Sequence, residues 1–355
     1  MRHVSYSKVT CNIDWRAWRM IQGAPLADAG LREALRLFQH ETAALRDPGP
    51  SLETTATPPE PPRVVSSDVI ESTTVRAHRV DEPPTVGFSA FLDGAQESRV
   101  IHYGDGIPIV FGRVSAVVRQ RLLRRMVTWK RPLVRGRLYV PRAFVSPSLW
   151  SLAIGSSFEV VDTTEGTDPA GSSRPSAHDA HPFTVAQRAL EAVKRDRERT
   201  ERALAEEWCA TQSDPLFVDG SIATSERVSR SPVAIGVIKS HRTLYVTGAA
   251  MRVVQALPLH HRSSVLRVEA YHRTSVASWY LRVRDATGRD PMWGLLRVET
   301  VLPDKADAPQ AIAARANLIS RWILAESTPL SLPDGRWDKM VYGIRDCEEF
   351  LRALG

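Results

Sequence analysis

Two short apolar runs that each end in Asp-Gly constrain the fold of this chain more than any other feature. The first covers residues 88–93 and ends at Asp93, and the second is Leu216–Asp219. Apolar residues bounded by an Asp-Gly turn predict buried β-strands, so each run is expected to place a carboxylate at a strand end. A single Asp-Gly is usually only a turn. The matching pair, with a long helical segment between its members, instead predicts two carboxylates at neighbouring strand ends.

The segment between the two aspartates contains the clearest helical pattern in the chain. Residues 183–208 carry apolar side chains at helical spacing, and Arg and Glu fill most other positions. Other elements are predicted on both sides of this helix. They are two strands around a Gly-Asp-Gly turn, a hairpin from 233–238 and 243–247, strands at 279–283 and 294–298, and helices at 309–325 and 346–354. This order predicts a mixed α/β sheet flanked by helices.

The first part of the chain has a different character. Residues 15–45 show an apolar pattern at helical spacing, and a Pro- and Thr-rich stretch follows that cannot pack well. We therefore predict an N-terminal helical arm and Pro-rich linker over residues 1–84, and one α/β domain over residues 85–355. The arm suits docking onto another subunit, and it equally suits packing on its own core.

Charge and cysteine content narrow the classes of partner and compartment. The 355 residues carry a formal net charge of +7, with a pI of about 9.6, which favours a nucleic acid or an anionic membrane surface as partner. No apolar stretch is long enough to span a bilayer, and the N-terminus lacks the apolar core of a signal peptide. Three widely spaced cysteines without a CxxC pair argue against a disulfide framework or a zinc site. A cytoplasmic protein without membrane attachment is expected.

The paired aspartates predict a divalent metal site. An ionised aspartate is costly to bury without a partner, so neighbouring carboxylates make chemical sense if a cation neutralises them. Mg²⁺ and Mn²⁺ prefer oxygen ligands and keep positions open for water and phosphate. Two such ions can activate water and stabilise the leaving oxygen when a phosphodiester bond is cleaved. Asp93 and Asp219 are thus candidate ligands of Mn²⁺ or Mg²⁺.

The intervening helix can supply a third carboxylate. If it packs antiparallel to the strand ending at Asp219, the length of that strand decides which helix residue lies beside Asp219. The strand spans roughly 10–13 Å at about 3.3 Å per residue. This length equals about seven to nine helical residues at about 1.5 Å each, counted back from the C-terminal end of the helix. Glu201 is then nearest and Glu198 next, whereas Glu191 requires a longer strand or a tilted helix. Each also fits a solvated glutamate on a charged face.

Basic residues around these acids are candidate contacts for a nucleic acid. Lys239 suits a contact with a phosphate or the scissile region, and it also suits an ordinary turn. Arg282 and Arg284 alternate with apolar residues, so they share one face of a predicted strand. That face is either a track that contacts phosphates without reading sequence or a solvated sheet face.

A second basic segment, residues 119–137, includes an aromatic residue among its arginines. Arg124, Arg125, Trp129 and Lys130 suit a single strand, because the cations neutralise phosphates and the indole stacks on bases. The apolar residues of the same segment suit an amphipathic helix packed on the core. Both interpretations can hold at once.

The ordered motifs resemble the NurA family of DNA-end-processing nucleases over about residues 86–350. They are FLDG, the Arg/Glu-rich RERTERALAEE, LFVDGS, a Gly-Val-x-Lys strand ending at Lys239, an arginine-bearing strand SWYLRVR, and Arg297-Val-Glu299. The resemblance implies an RNase H-like fold in which Asp93, a helical glutamate and Asp219 bind Mn²⁺ or Mg²⁺. It also implies nuclease action on DNA, a homodimer, and partnership with a HerA-type hexameric ATPase that drives DNA inward.

Two departures from the family pattern leave alternatives open. The first motif is Asp93-Gly94-Ala95, where the family usually has Asp-Gly-Ser, and residues 341–346 lack the family's Tyr-Pro and nearby histidine. Asp338 or Asp346 then either supplies a fourth ligand or serves as a helix cap or surface residue. The altered first motif also supports a second hypothesis. The chain is then a catalytically degraded RNase H-like adaptor that binds DNA in a repair or defence complex.

Overall fold

The computed structural model describes residues 63–123, 125–164, 180–269, 273–304, 306–327 and 342–354. Within them the chain is a mixed α/β protein whose large mixed sheet is flanked by helices. The strands are β1 Arg63–Val64, β2 Ser67–Val69, β3 Ala77–Arg79, β4 Ala90–Gly104, β5 Ile107–Leu122, β6 Arg125–Thr128, β7 Leu133–Val140, β8 Glu159–Asp162, β9 Leu216–Asp219, β10 Ala234–Ile238, β11 Thr243–Leu244, β12 His261–Ser263, β13 Leu266–Val268, β14 Val276–Arg282 and β15 Leu295–Thr300.

The described helices pack against this sheet or between its connections. They are α1 Pro147–Ile154, α2 Pro182–Thr211, α3 Glu226–Ser229, α4 Gly248–Gln255, α5 Pro309–Ser327 and α6 Tyr342–Leu354. None of the described helices combines the length and the apolar character needed to cross a membrane. The predicted helical arm at residues 15–45, together with Arg124 and Asp338, lies outside the described residues.

The strand β9 lies at the centre of the sheet. The strands follow one another in the order β2-β13-β14-β15-β10-β9-β4-β5-β7-β8. β9 is parallel to both of its neighbours, β4 and β10, whereas β5, β7 and β15 extend the sheet through antiparallel pairs. A short strand between two parallel neighbours is buried on both faces, which suits the apolar Leu-Phe-Val of β9. Asp219 therefore ends the innermost strand.

The two faces of the central strands bury separate cores. Phe91, Phe217 and Ile235 belong to a core completed by residues of α5 and α6. Leu92, Val218 and Ala234 belong to a core completed by Leu204 and Trp208 of α2. Side chains alternate between the faces of a strand, so Asp93 shares the face of Phe91 and Asp219 the face of Phe217. Both aspartates thus belong to the face covered by α5 and α6.

The prediction that Asp93 ends a strand is wrong, because β4 continues for eleven residues to Gly104. Beyond Asp93 the strand keeps its antiparallel partner β5, from Gly94 opposite Ala116 to Gly104 opposite Ile107. That ladder satisfies the backbone groups, so the polar sequence after Asp93 does not need to turn. The predicted Gly-Asp-Gly turn is confirmed, with Asp105 at φ 52° and Gly106 at φ 79°.

Two further local predictions are wrong. Residues 119–137 do not form a helix; they form the end of β5, then β6 and part of β7. Arg119 and Arg121 alternate along β5 and pair with Asp346 and Glu326. The segments 233–238 and 243–247 do not form a hairpin, because β10 pairs with β9 and β15, and β11 pairs with β1.

The predicted domain boundary near residue 85 does not coincide with an edge of the sheet. Ser67–Val69 pairs with β13, and Ala77–Arg79 pairs with β12. Glu71, between these two strands, accepts two hydrogen bonds of 2.7 Å from the buried guanidinium of Arg262. The part of the predicted linker that the structure describes is therefore an integral portion of the α/β domain.

Candidate active site

Asp93 and Asp219 are neighbours on adjacent parallel strands. Pairing of β4 with β9 runs from Ala90 opposite Leu216 to Leu92 opposite Val218, so the two aspartates are the next residues in register. Adjacent strands lie about 4.8 Å apart, which brings the two carboxylates close to each other on the same face. Because β9 ends at Asp219 while β4 continues, the sheet has a notch at this point.

Glu201 approaches this notch from the face that α2 covers. A Cβ atom built on Gly94 would lie only 2.3 Å from Oε1 of Glu201. The glycine of the FLDG motif is therefore required for the close approach of the helix carboxylate. Glu198 lines the same cleft as Glu201, whereas Glu191 is exposed and does not line it. Of the three candidates, Glu201 is the one that lies against Gly94, directly after Asp93.

Burial and mutual repulsion perturb the acids of the notch. Burial raises the pKa of Asp93 from 3.8 to about 7, with further increases from Asp219 and Glu201 and an opposing effect of Lys239. Burial also raises the pKa of Glu201 from 4.5 to about 7, opposed by Arg197 and reinforced by Asp219. Asp219 thus acts on both groups, so the three carboxylates share one electrostatic site. Such a site gains from a cation, and perturbed acids of this kind concentrate at functional sites.

Two cations of the chain already contact this acidic site. Nζ of Lys239 donates a hydrogen bond of 2.8 Å to Oδ2 of Asp219. Arg197, one helical turn before Glu201, donates to Oε1 of that glutamate. Lys239 follows β10 two residues after Val237, which pairs with Asp219. The structure therefore places Lys239 in the acidic site, and its contact with substrate remains a prediction.

The donor set suits a hard divalent cation, although it is not assembled as a closed cage. Among the described residues, no three His, Cys, Asp or Glu side chains converge closely enough to enclose a metal ion. Asp219 and Glu201 are each engaged by a cationic side chain, as above. Carboxylate oxygens are nevertheless the ligands that Mg²⁺ and Mn²⁺ prefer. A metal would compete with Lys239 and Arg197 for the same oxygens.

Glu299 fixes the loop that follows Asp219. This carboxylate is fully buried, and its Oε2 accepts from Oγ of Ser221 at 2.7 Å and from the backbone N–H of Ile222 at 3.1 Å. Its Oε1 accepts from the hydroxyl of Tyr245 at 2.9 Å. Sequence reasoning used Glu299 only as part of a motif and missed this role. The Arg-Val-Glu motif included this residue, but nothing in the motif indicated which groups the glutamate would bind.

Two glycines allow the loop to pack against β10. Gly220 adopts φ 138°, in the region that favours glycine. A Cβ atom on Gly236 would lie 2.7 Å from the carbonyl oxygen of Gly220. Any larger residue at position 236 would therefore push the backbone after Asp219 away. The Asp-Gly-Ser and Gly-Val-x-Lys motifs thus meet through one close contact, between Gly220 of the first and Gly236 of the second.

A cleft of about 300 Å³ opens beside this site, between α2 and the loop after β9. Glu198, Glu201 and Asp219 line it, together with a group of arginines: Arg197, Arg202, Arg242, Arg273 and Arg297. Asp93 is not a lining residue, and only 8% of its surface is exposed. The cleft thus gives solvent and ligands access to Asp219 and Glu201, with Asp93 behind them.

The predicted phosphate track on Arg282 and Arg284 is wrong for Arg282. This side chain is fully buried, and its guanidinium donates to the carbonyl oxygens of Leu257, Gln255, Pro291 and Trp293. It has no surface left for a phosphate, because β14 is an internal strand that is buried on both faces. Arg284 lies beyond the end of β14 and donates to the carbonyl of Ser327. The two arginines therefore do not form a DNA-binding face.

The aromatic residue of the basic segment is engaged with the core. Trp129 packs edge-to-face on Trp208 of α2, with ring centroids 4.9 Å apart. Lys130 lies over the Trp129 ring at 4.8 Å and pairs with Glu207. Arg125 is exposed, at the start of β6. Contacts of these residues with DNA remain predictions, and base stacking on Trp129 competes with its packing on Trp208.

Asp346, a candidate fourth ligand, is committed elsewhere in the described structure. It is the fifth residue of α6, and its Oδ1 accepts from Nε of Arg119 at 2.5 Å. Because the helix begins four residues earlier, Asp346 is not a cap. The contact instead ties α6 to β5.

The close contact at Gly94 gives a test of the Glu201 position. Gly94→Ala should lower any metal-dependent activity by about 10–100-fold, because a displacement of about 1 Å at a reacting group has effects of this size. The alanine must displace the Glu201 carboxylate, which ends a flexible side chain, so the fold should persist. Initial rates and thermal unfolding should be measured on the same preparations. Unchanged rates in a folded variant would show that Glu201 is not needed in this position.

Comparison with known proteins yields no assignment. No protein-family model matches the chain, and no curated protein matches it significantly.

Proposed function

We propose that this protein is a metal-dependent DNA nuclease of RNase H-like fold, with Asp93, Glu201 and Asp219 as ligands of Mn²⁺ or Mg²⁺. One observation carries the proposal. Carboxylates from two adjacent parallel strands and from the helix that crosses them meet at one notch, where two of them have pKa values of about 7. Uncompensated buried acids destabilise a fold, so their concentration beside a cleft favours a functional role.

The arrangement of the central strands supports the RNase H-like part of the proposal. The unit β7-β5-β4-β9-β10 has antiparallel pairs on the β7 side and parallel pairs around β9. Counted along the chain, its strands lie in the order three-two-one-four-five, and α2 connects the two halves. The acids lie on the first strand, on the connecting helix and on the fourth strand. This is the order of motifs that the resemblance to NurA nucleases implies.

The chemistry follows from what each side chain does. A bound divalent ion would supply activation of water and neutralisation of the phosphate charge. Asp93, Glu201 and Asp219 would hold it through carboxylate oxygens. Without a metal, Lys239 neutralises Asp219 and Arg197 neutralises Glu201. A bound metal would take over these carboxylates, and each cation could then contact a phosphate oxygen. Glu299 keeps the loop after Asp219 in place, so it is a positioning residue.

A nuclease assay on linear and circular DNA tests the proposal. The wild-type protein should cleave DNA when Mn²⁺ or Mg²⁺ is present, and EDTA should stop the cleavage. Asp219→Ala should show no cleavage with either ion. Glu191→Gln is a matched control, because this glutamate lies on the same helix as Glu201 but is exposed and outside the cleft. Absence of metal-dependent cleavage by the folded wild-type protein on both substrates would contradict the proposal.

A degraded, DNA-binding adaptor is the second candidate, and two observations favour it. Ala95 stands where the family usually has serine, and Lys239 occupies an oxygen of Asp219. Calorimetry separates the two candidates. An adaptor binds DNA but shows no Mn²⁺ binding that depends on Asp93 and Asp219. A nuclease binds DNA and also binds Mn²⁺ through these two aspartates. Homodimer formation and association with a HerA-type hexameric ATPase remain predictions of the resemblance.

A further inference from the structure

The cleft beside Asp219 carries an excess of positive side chains. Lys239 balances Asp219, Arg197 balances Glu201, and Lys194 lies 4.0 Å from Glu198. Arg297 lies 3.8 Å from Glu299 and is balanced by that carboxylate. Arg202 and Arg273 add two further positive charges to the lining. A concave site with this surplus attracts anionic ligands.

One buried N–H group in this wall, Nε of Arg202, has no acceptor within the described part of the chain. The Arg297 guanidinium is already engaged: its Nε lies 3.8 Å from Oε1 of Glu299, it donates to the carbonyl of Thr243 at 2.5 Å, and it lies 4.1 Å from the centre of the Tyr245 ring. A buried donor without an acceptor destabilises a fold. Nε of Arg202 is therefore expected to meet a ligand oxygen, and phosphate oxygens match arginine well.

A shallower depression continues the cleft past α3. It shares Arg202, Thr224 and Ser225 with the cleft and adds two arginines and two glutamates, Arg227, Arg230, Glu206 and Glu226. Glu206 accepts a hydrogen bond from the Ser225 hydroxyl. Arg230 is 2.8 Å from Glu226, so its charge is partly balanced, whereas Arg227 is exposed. A chain of phosphates that enters beside Asp219 can thus continue along α2 over Arg202 to Arg227.

We propose that an arginine track, formed by Arg202, Arg227, Arg230 and Arg273, binds the backbone of one DNA strand and leads it to Asp219 and Glu201. This inference rests on the proposed nuclease function. The cleft volume of about 300 Å³ is at the lower end for ligand pockets. A recess of this size can take one strand but is far smaller than a duplex. Among the described residues, the lining of both depressions contains no aromatic side chain, so the contacts proposed are with phosphates and independent of base sequence.

Fluorescence anisotropy with a labelled single-stranded oligonucleotide in EDTA tests the track without cleavage. Arg202→Gln and Arg227→Gln should each weaken binding by about tenfold, equivalent to about 1.4 kcal/mol. Each should also reduce the slope of log affinity against log salt by about 0.7, the value for one phosphate contact on a single strand. Arg195→Gln is the matched control, because Arg195 is an exposed arginine of α2 outside both depressions.

The outcomes separate this inference from the proposed function. Binding by Asp219→Asn at or above wild-type affinity, with no cleavage in Mn²⁺, supports both. Loss of affinity in Arg202→Gln and Arg227→Gln, combined with no metal-dependent cleavage by wild type, supports the track and contradicts the nuclease. Wild-type affinity and salt slope in both arginine variants would overturn the track, as would tighter binding of a blunt duplex than of the single strand. Arg227→Gln keeps the test valid if Arg202→Gln does not fold.

Discussion

Under the proposed nuclease function, Asp93→Asn and Asp219→Asn should each lower metal-dependent DNA cleavage by at least about 10²-fold, because each removes a charged ligand that would hold the metal. Asp93→Asn should at the same time raise the free energy of unfolding above neutral pH. A substitution that removes activity and increases stability is expected where a fold stores unfavourable electrostatic energy at a functional site. Inactivation with loss of stability would instead indicate simple damage to the sheet.

The direction of the stability change follows from the raised pKa of Asp93. Its folded-state pKa is about 7 against an ordinary value of 3.8, so the folded protein binds this proton more tightly than the unfolded chain. Stability therefore falls as pH rises from about 4 to about 7, and the full penalty is present above that range. Each pKa unit corresponds to about 1.4 kcal/mol, so the upper bound is about 4 kcal/mol. Asparagine remains neutral and escapes this penalty.

Urea unfolding in EDTA at a series of pH values measures this effect. The difference between Asp93→Asn and wild type should be small near about pH 4 and grow to its maximum above about pH 7. Glu191→Gln is the control, because this glutamate is exposed and lies outside the cleft and the acidic site. Mn²⁺ at about 100 times its dissociation constant should stabilise wild type by about 2.7 kcal/mol and leave the aspartate variants unchanged. A flat difference across pH would contradict the assigned cause.

The parts of this site that the sequence predicts are those fixed by local geometry. Strand β9 is a continuous apolar run closed by Asp-Gly, and the choice of Glu201 follows from strand and helix rises if the helix packs antiparallel to that strand. Glu201 lies against Gly94, a contact that the sequence did not indicate, and its role as a metal ligand stays a prediction. The continuation of β4 past Asp93 was missed, because it depends on pairing with β5 and not on local polarity.

The features that escaped prediction depend on distant partners. Arg282 alternates with apolar residues as a surface strand would, but β14 lies between β12 and β15 inside the sheet and is buried along its whole length. Its guanidinium is satisfied by backbone carbonyls from loops as far as 27 residues away in sequence. Nothing in a local pattern distinguishes such a buried arginine from a phosphate contact. The pairing of residues 67–79 with the sheet was missed for the same reason, because their partner strands β12 and β13 lie in the C-terminal half of the chain.

Arg262→Met should cost about 3–5 kcal/mol of unfolding free energy, the usual effect of leaving one member of a buried ion pair without its partner. The side chains of Arg262 and Glu71 are 1% and 4% exposed, and two hydrogen bonds of 2.7 Å join them. Nε of Arg262 also donates to Asn317 of α5 at 2.6 Å. The arginine therefore links the segment before residue 85 to the sheet and to a covering helix.

The double variant Glu71→Leu/Arg262→Met should recover much of this loss, because it removes the stranded charge together with its partner. Equilibrium unfolding in urea gives both values. Arg79→Met is the matched control, since Arg79 and Asp81 form an exposed pair with 73% and 80% side-chain exposure. That substitution should change stability by less than about 0.5 kcal/mol. Equal losses in the single and double variants would show that packing, and not the buried charge, dominates.

The same pair decides where the α/β domain begins. If Glu71 and Arg262 hold β2 and β3 on the sheet, a chain that starts at residue 85 leaves Arg262 without its carboxylate and exposes the edges of β12 and β13. Its stability should therefore be lower than that of Arg262→Met, because it loses the ion pair and the strand pairing together. Introducing Arg262→Met into the shortened chain should cost little or raise its stability, since the unpaired guanidinium is removed. A shortened chain as stable as the full one would return the boundary to residue 85.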